Sequence, residues 1–401
     1  MFNLLPPLAT DPILGLISRF QQDPRQQKVD LGVGVYRDAQ GNTPVFASVK
    51  AAERRLLESE QTKAYIGPAG NPDFNLKMSE LIMGVQHSRL ADLVLMQTPG
   101  GCGALRVAAE LIVRLAGFRG ASAGTRPTLW VSDPTWGNHI PLLGNAGVEI
   151  KTYPYYHADT HQLNFEGMLQ TLGKVAEGDV VLLHGCCHNP CGADLSIEQW
   201  QAVSDLANSQ GFIPFVDMAY QGFGDDLDTD AAGLRLLAEQ VPEVVLAISC
   251  SKNFGLYRER VGAVGVISQQ PNAVASHIAN IVRGIYSMPP SHGAAIVAEV
   301  LSDEALAKSW REELETARTR IVSNRRQLVE QLNTIGADGR FDHIARQKGM
   351  FSFVGINQQQ VAKLITEFGI YMVDSGRISL AGLNPTNLDY FCESLIAVMD
   401  T

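Results

Sequence analysis

The chain has 401 residues, 45% of them hydrophobic and 18% charged, and its 32 Lys and Arg against 42 Asp and Glu leave a formal charge of −10. A chain of this length buries a core without disulfides or structural metals, and at about 100 to 200 residues per domain it makes two or three domains. An acidic balance with scattered basic residues excludes a surface built to neutralise a nucleic-acid backbone or an anionic membrane, but not a local cationic pocket for a small anion.

In chain order, the leading 40 residues are too few to fold alone and are expected to pack onto another part of the chain. Short runs rich in Val, Ile and Leu then predict buried strands over 93–97, 127–132, 149–155, 179–185, 212–217, 243–249 and 261–268. Between most of them the spacing predicts helices, over 103–117, 165–175, 196–211 and 231–240. This alternation implies right-handed crossovers and a mainly parallel sheet, so the expected class is α/β. From Asp303 to Gly336 the apolar positions Leu306, Trp310, Leu314, Ala317, Ile321, Leu328 and Leu332 recur at steps of three, four and seven, which predicts one long amphipathic helix, or two with a kink, across a domain boundary. The rest predicts a smaller α+β unit with strands over 350–356, 371–373 and 377–382 and helices over 361–369 and from about 386. The expected division is an N-terminal arm and part of a small domain over 1–43, a large domain over 44–310, and the remainder of the small domain over 311–401.

Ligands of open parallel sheets bind beyond the carboxyl ends of the strands, so the residues just after each predicted strand are the candidates. After the first comes Thr98-Pro-Gly-Gly-Cys-Gly-Ala-Leu-Arg106, a glycine turn feeding a helix whose exposed N–H groups suit an anion. Arg106 stands where a dinucleotide fingerprint has its third glycine, and no Gly-Lys-Ser/Thr closes a Walker A turn; an anion seat or a plain helix cap remains. The run His184-Gly-Cys-Cys-His-Asn-Pro-Cys191 carries five candidate metal ligands. Metal is nevertheless not expected, because neighbouring strand side chains point to opposite faces and no C-x-x-C pair completes a tetrahedral site. Asn189-Pro190 reads as a rigid turn that fixes the Asn amide, or as a turn with no function.

Asp217 ends an apolar strand and faces a desolvation cost unless a cation or donors meet it. A protonated ring nitrogen of a cofactor suits it, and His139 either supplies a pairing proton or is a satisfied core residue. Lys252 follows the strand 243–249 directly and has little room to snorkel, so its pKa is expected to fall, the state in which lysines form Schiff bases. Arg258 and Arg260 beyond it are phosphate clamps or solvated loop residues. Arg377, between a glycine and a strand, and Arg283, before two prolines, offer planar forks for two carboxylates, or surface ion pairs.

An anion seat, a strand-end Asp, a strand-end Lys and two arginines together suggest pyridoxal phosphate and an amino acid. The segments DPILGL, LGVGVYRD, HNPCGAD, DMAYQGF, SKNFGLYRERVG, YSMPPSHGA and SGRISLAG stand in family order over essentially the whole chain. On them the sequence resembles the class I, fold-type I, pyridoxal-phosphate-dependent aspartate and aromatic-amino-acid aminotransferases. The resemblance implies a large domain with a mainly parallel seven-stranded sheet between helices, beside a smaller α+β domain. It implies that Lys252 holds the cofactor and later moves the proton at the substrate α-carbon, and that Asp217, with His139 behind it, keeps the pyridine nitrogen protonated. Asn189 and Tyr220 are implied to hydrogen-bond the phenolate oxygen, Trp136 to stack on the ring, and Gly101, Cys102, Ser249, Ser251 and Arg260 to surround the phosphate, joined by Tyr65 from a neighbouring subunit. Arg377 is implied to take the substrate α-carboxylate and Arg283, reaching across a dimer, the distal one. Trp136 and Asn189 are also implied to face the substrate, and Gly34 with Ile13, Leu14 and Val33 to form an apolar lid.

Two positions depart from the family pattern: Cys102 stands where Thr or Ser is usual in the phosphate turn, and HNPTG reads HNPCG through Cys191. A thiol is the weaker donor, so a looser hold on the cofactor is expected. The implied reaction moves the amino group of L-aspartate to 2-oxoglutarate in a homodimer with shared active sites. Residues 31–46 look closer to the aspartate branch, and an aromatic donor is the alternative because Arg283 can swing aside for a phenyl ring. The two arginines disfavour a β-decarboxylase or C–S lyase on the same fold, and Lys252, Asp217 and Tyr220 together disfavour a non-catalytic ligand binder. The start, MFNLLPPLATDP, lacks a basic secretory segment, no stretch approaches the roughly 18 apolar residues of a membrane span, and six cysteines are too sparse for a disulfide scaffold, so the expected location is the cytoplasm, with no membrane or nucleic-acid partner.

Overall fold

The computed structural model describes residues 2–8, 11–119 and 126–399. The seven predicted core strands form one sheet: β1 (Leu93–Pro99), β2 (Thr128–Asp133), β3 (Glu149–Pro154), β4 (Val180–His184), β5 (Ile213–Met218), β6 (Val244–Ser249) and β7 (Val261–Ile267), in the spatial order β1-β7-β6-β5-β4-β2-β3. The pairs β3-β2, β2-β4, β4-β5 and β5-β6 are parallel, while β7 runs antiparallel to both β6 and β1. Because β7 is reversed, its first residue, Val261, lies opposite Pro99 at the end of β1. Arg260, one residue earlier, is thereby delivered to the edge where the other strands finish.

Both faces of the sheet are covered, which is why its strands read as continuous apolar runs. Alternate side chains divide between two cores: Val181, Leu183, Val216, Leu246 and Ile248 join one, and Val180, Leu182, Phe215, Val245 and Ala247 the other. Burying each such side chain stabilises the fold by roughly 1.5–3 kcal/mol against leaving it exposed. Local signals set the helix ends. Ser196 and Gln199 form a reciprocal capping box at the start of Ile197–Gln210, and Gly211 ends that helix with a left-handed φ of 74°, a conformation cheap only for glycine.

The predicted long helix is one continuous element, Glu304–Thr334, N-capped by Asp303, whose carboxylate accepts from Leu306 N–H. Beyond it, Phe351–Phe353 pairs antiparallel with Arg377–Ser379, and Val29–Asp30 pairs parallel with Ile370–Tyr371, so the leading segment is stitched to the C-terminal part of the chain. Helices Ala47–Ser59, Pro72–Met83, Pro271–Ile285 and Ser291–Ser302 go beyond the sequence-derived set. Among the described residues, no helix is long and apolar enough to cross a membrane.

Candidate active site

The strand ends converge on a cavity of about 270 Å³. Gly34, Gly101, Cys102, Trp136, Asn189, Asp217, Tyr220, Ser249, Ser251, Lys252, Arg260 and Arg377, all predicted from the sequence, line it. Tyr65 and Arg283 do not reach it: both are exposed, and the Arg283 guanidinium hydrogen-bonds Ser287 Oγ. Of the predicted lid, Ile13 and Gly34 line the cavity, whereas Leu14 is 63% exposed. Arg258 is exposed and stays outside.

Asp217 leaves β5 into the cavity floor, and its Oδ2 lies 3.0 Å from His139 Nε2. His139, fully buried, meets Thr135 Oγ1 at 2.8 Å through Nδ1, and Thr135 in turn meets His184 Nε2 at 3.2 Å. Burial works to raise the Asp217 pKa, but the hydrogen bond and charge of His139, with Lys252, outweigh it and hold the carboxyl below its ordinary range. Burial pulls His184 down to about 3, so it stays neutral at physiological pH. Thr135 and His184 are thus part of the support behind Asp217. Sequence reasoning weighed His184 only as a metal ligand and passed over Thr135, whose local text gives no sign of either contact.

Lys252 follows β6 as predicted, and its ammonium lies 4.8 Å above the Tyr220 ring. Burial draws its pKa below the lysine norm, against the attraction of Asp217. The phosphate-type cradle is built from backbone. Gly100 has φ of 71°, and a Cβ there would stand 2.5 Å from the Arg260 guanidinium; at Gly101 it would stand 3.1 Å from Ser249 Cβ. Ser249 Oγ donates to Ser251 Oγ at 3.1 Å. Cys102 joins them in the first turn of the helix Gly100–Phe118, which begins without a side-chain cap, and the first N–H groups of a helix have no intrahelical partner. A glycine-lined anion cradle, a part-buried lysine with a lowered pKa and a strand-end carboxylate with a free face are the donor set that pyridoxal phosphate requires, so the residues fit that cofactor.

At the opposite wall Arg377 is only 5% exposed, yet among the described residues it pairs with no carboxylate. Its Nη2 donates to Gly32 O at 2.7 Å and its Nη1 to Asn189 Oδ1 at 3.3 Å, while Nε has no partner. Asn189 is held at the strand end by the turn it forms with Pro190, as its text predicts.

One local expectation is overturned. Strand alternation predicts that Cys186 and Cys187 face opposite sides, but Cys187 adopts φ of 50°, and its thiol lies within 4.8 Å of both Cys186 Sγ and an Asp230 carboxylate oxygen. That carboxylate already accepts N–H groups from Gly222, Gly224 and Asp225 at 2.8–2.9 Å, and burial pushes the Cys187 thiol up to about 11. Cys186 lines the cavity, and the Cys187 thiol lies beside a carboxylate already engaged by three backbone N–H groups.

The model of the family described as aminotransferase class I and II matches residues 26–395. The chain is 47% identical over 395 residues to the aromatic-amino-acid aminotransferase of Pseudomonas aeruginosa, covering 97% of this chain and 96% of that one. It is 44% identical over 404 residues to the aspartate aminotransferase of Escherichia coli, covering 100% of each. Its fold matches the structure of an aromatic-amino-acid aminotransferase from Burkholderia pseudomallei covalently bound to pyridoxal phosphate, with a TM-score of 0.94 and 40% identity over 99% of each chain. With the site geometry, these likenesses establish that the chain belongs to the class I and II aminotransferases, within the aspartate and aromatic-amino-acid group of fold-type I, pyridoxal-phosphate-dependent enzymes.

Proposed function

We propose that this protein transfers the amino group of L-aspartate to 2-oxoglutarate, giving oxaloacetate and L-glutamate. The observation that carries amino transfer is Arg377, a buried guanidinium without an internal carboxylate in the same cavity as Lys252 and Asp217, and so a seat for the α-carboxylate of an amino or 2-oxo acid; aspartate is chosen over an aromatic donor because Arg283 offers a second guanidinium for a distal carboxylate. When bound, pyridoxal phosphate supplies an electron sink for the pair released as the substrate α-proton leaves. Lys252, biased toward the neutral amine by burial, holds the cofactor and carries that proton. Asp217, kept anionic by its buried hydrogen bond to His139, holds a proton on the ring nitrogen. Asn189 and Tyr220 serve the ring oxygen, Trp136 covers the ring, and Gly101, Cys102, Ser249, Ser251 and Arg260 take the phosphate. One pocket with one α-carboxylate seat cannot hold donor and acceptor together, so they bind in turn with ping-pong kinetics.

A homodimer completes the reading. Tyr65 and Arg283, exposed on their own chain, serve the pocket of a second copy at the phosphate and the distal carboxylate respectively. We divide the chain into 1–43 and 311–401, which carry the lid and Arg377, and 44–310, which carries the cofactor site, and assign the protein to the cytoplasm. Aromatic donors are the second reading, supported by the apolar wall of Ile13, Leu105, Tyr257 and Phe351. A steady-state comparison of aspartate, tyrosine and phenylalanine with 2-oxoglutarate tests both. Arg283→Ala is expected to lower kcat/KM for aspartate about 100-fold more than for phenylalanine, and equal losses reject the role of Arg283.

A further inference from the structure

A buried guanidinium normally has a carboxylate beside it, because the ion loses its hydration. Arg377 has instead the ring of Phe351, with its Cζ 4.2 Å from the ring centroid. The same ring meets Tyr220 edge-on, with centroids 6.1 Å apart and planes at 89°, and occupies the space a side chain on Gly34 would need: a Cβ there would lie 2.5 Å from the ring. Its backbone is held as firmly. Phe351 pairs with Ser379 two residues beyond Arg377, and its carbonyl accepts from Arg325, a buried guanidinium that also bonds the carbonyls of Ile344, Lys348 and Gly349.

We propose that Phe351 is the positioning residue of the carboxylate seat, its π face standing where an internal counter-ion would otherwise be. An Asp or Glu there would neutralise Arg377 and repel the incoming substrate. The negative face of an aromatic ring lowers the cost of burying the cation yet leaves its net charge for the ligand. The ring also packs on two neighbours of the seat, Tyr220 on the cofactor side and Gly34 on the lid side. This inference rests on Arg377 being the α-carboxylate seat, and sequence reasoning missed it because MFSFVGI reads as core strand.

The test uses cofactor-loaded enzyme with Phe351→Leu and Arg377→Lys. A cation–π contact is worth roughly two- to thirtyfold in an equilibrium constant, from exposed to desolvated. Phe351→Leu is therefore expected to raise KM for both amino donor and 2-oxoglutarate about tenfold with kcat changed less than about threefold, and to weaken succinate binding in calorimetry by a like factor. A succinate Kd unchanged in Phe351→Leu, or a fall in kcat with KM intact, overturns the proposal. If Arg377→Lys also leaves succinate binding unchanged, the assignment of Arg377 has failed, whereas loss in that variant alone counts against the ring. Should Phe351→Leu not load cofactor, Phe351→Met, of similar size and without a π face, is measured in its place.

Discussion

At one end of the pocket Asp217 is backed by a chain of buried contacts, His139 at 3.0 Å, then Thr135 at 2.8 Å, then His184 at 3.2 Å. At the other end Arg377 has a carbonyl, an amide oxygen, an aromatic face and one unsatisfied N–H. Both groups are buried charges, and a buried charge is tolerated only with compensation. The Asp217 end is compensated within the chain, so its charge state is set before any ligand arrives. The Arg377 end is left short by one carboxylate, which makes the substrate the completing partner. That asymmetry suits a cofactor that stays and substrates that alternate.

The strongest way to break the comparison is at its midpoint. Lys252→Ala should leave a chain that still binds cofactor and dicarboxylates, since both ends persist, but turnover should fall at least about 1,000-fold because the proton carrier is gone. Near-normal turnover in a steady-state assay would refute the assignment. The internally matched end is tested by pH. His184 is held near 3 in the fold against an ordinary value of 6.5, so between those values the unfolded chain takes up a proton that the folded chain refuses, and stability is lost as pH falls through that window. His184→Gln removes this contribution, and unfolding near pH 5 should take up about one proton fewer than in the wild type. Identical slopes of stability against pH would show that His184 is not held neutral. The smallest effect is expected in the cradle. Cys102→Thr replaces a thiol by a better donor and should tighten cofactor binding about two- to fivefold, as judged from cofactor dissociation; an equal or weaker hold would sink the idea.

Much of this architecture was legible before any coordinates. The seven strands announced themselves because a sheet covered on both faces leaves unbroken apolar runs, and the residues at their ends stood out because Asp217, Lys252 and the Thr98-Pro-Gly-Gly turn interrupt those runs with polar or flexible groups. Cys187 was misjudged because a single left-handed residue cancels strand alternation, and nothing in Cys-Cys-His marks where that happens. Thr135 and Phe351 stayed hidden for a related reason: one is a small polar residue in a loop and the other an aromatic in an apolar strand, and neither the contact of Thr135 with His184 nor that of Phe351 with Arg377 is marked in the residues around it.

The sequence by itself determined the fold class and the side chains at the strand ends, because periodicity and residue type are local properties. Only the tertiary structure decided that β7 runs backward and delivers Arg260 to the cradle, that Thr135 and His184 stand behind Asp217, and that a ring rather than a carboxylate faces Arg377. Those facts are pairings between distant segments, chosen by how the two cores close over the sheet, and no local pattern encodes them.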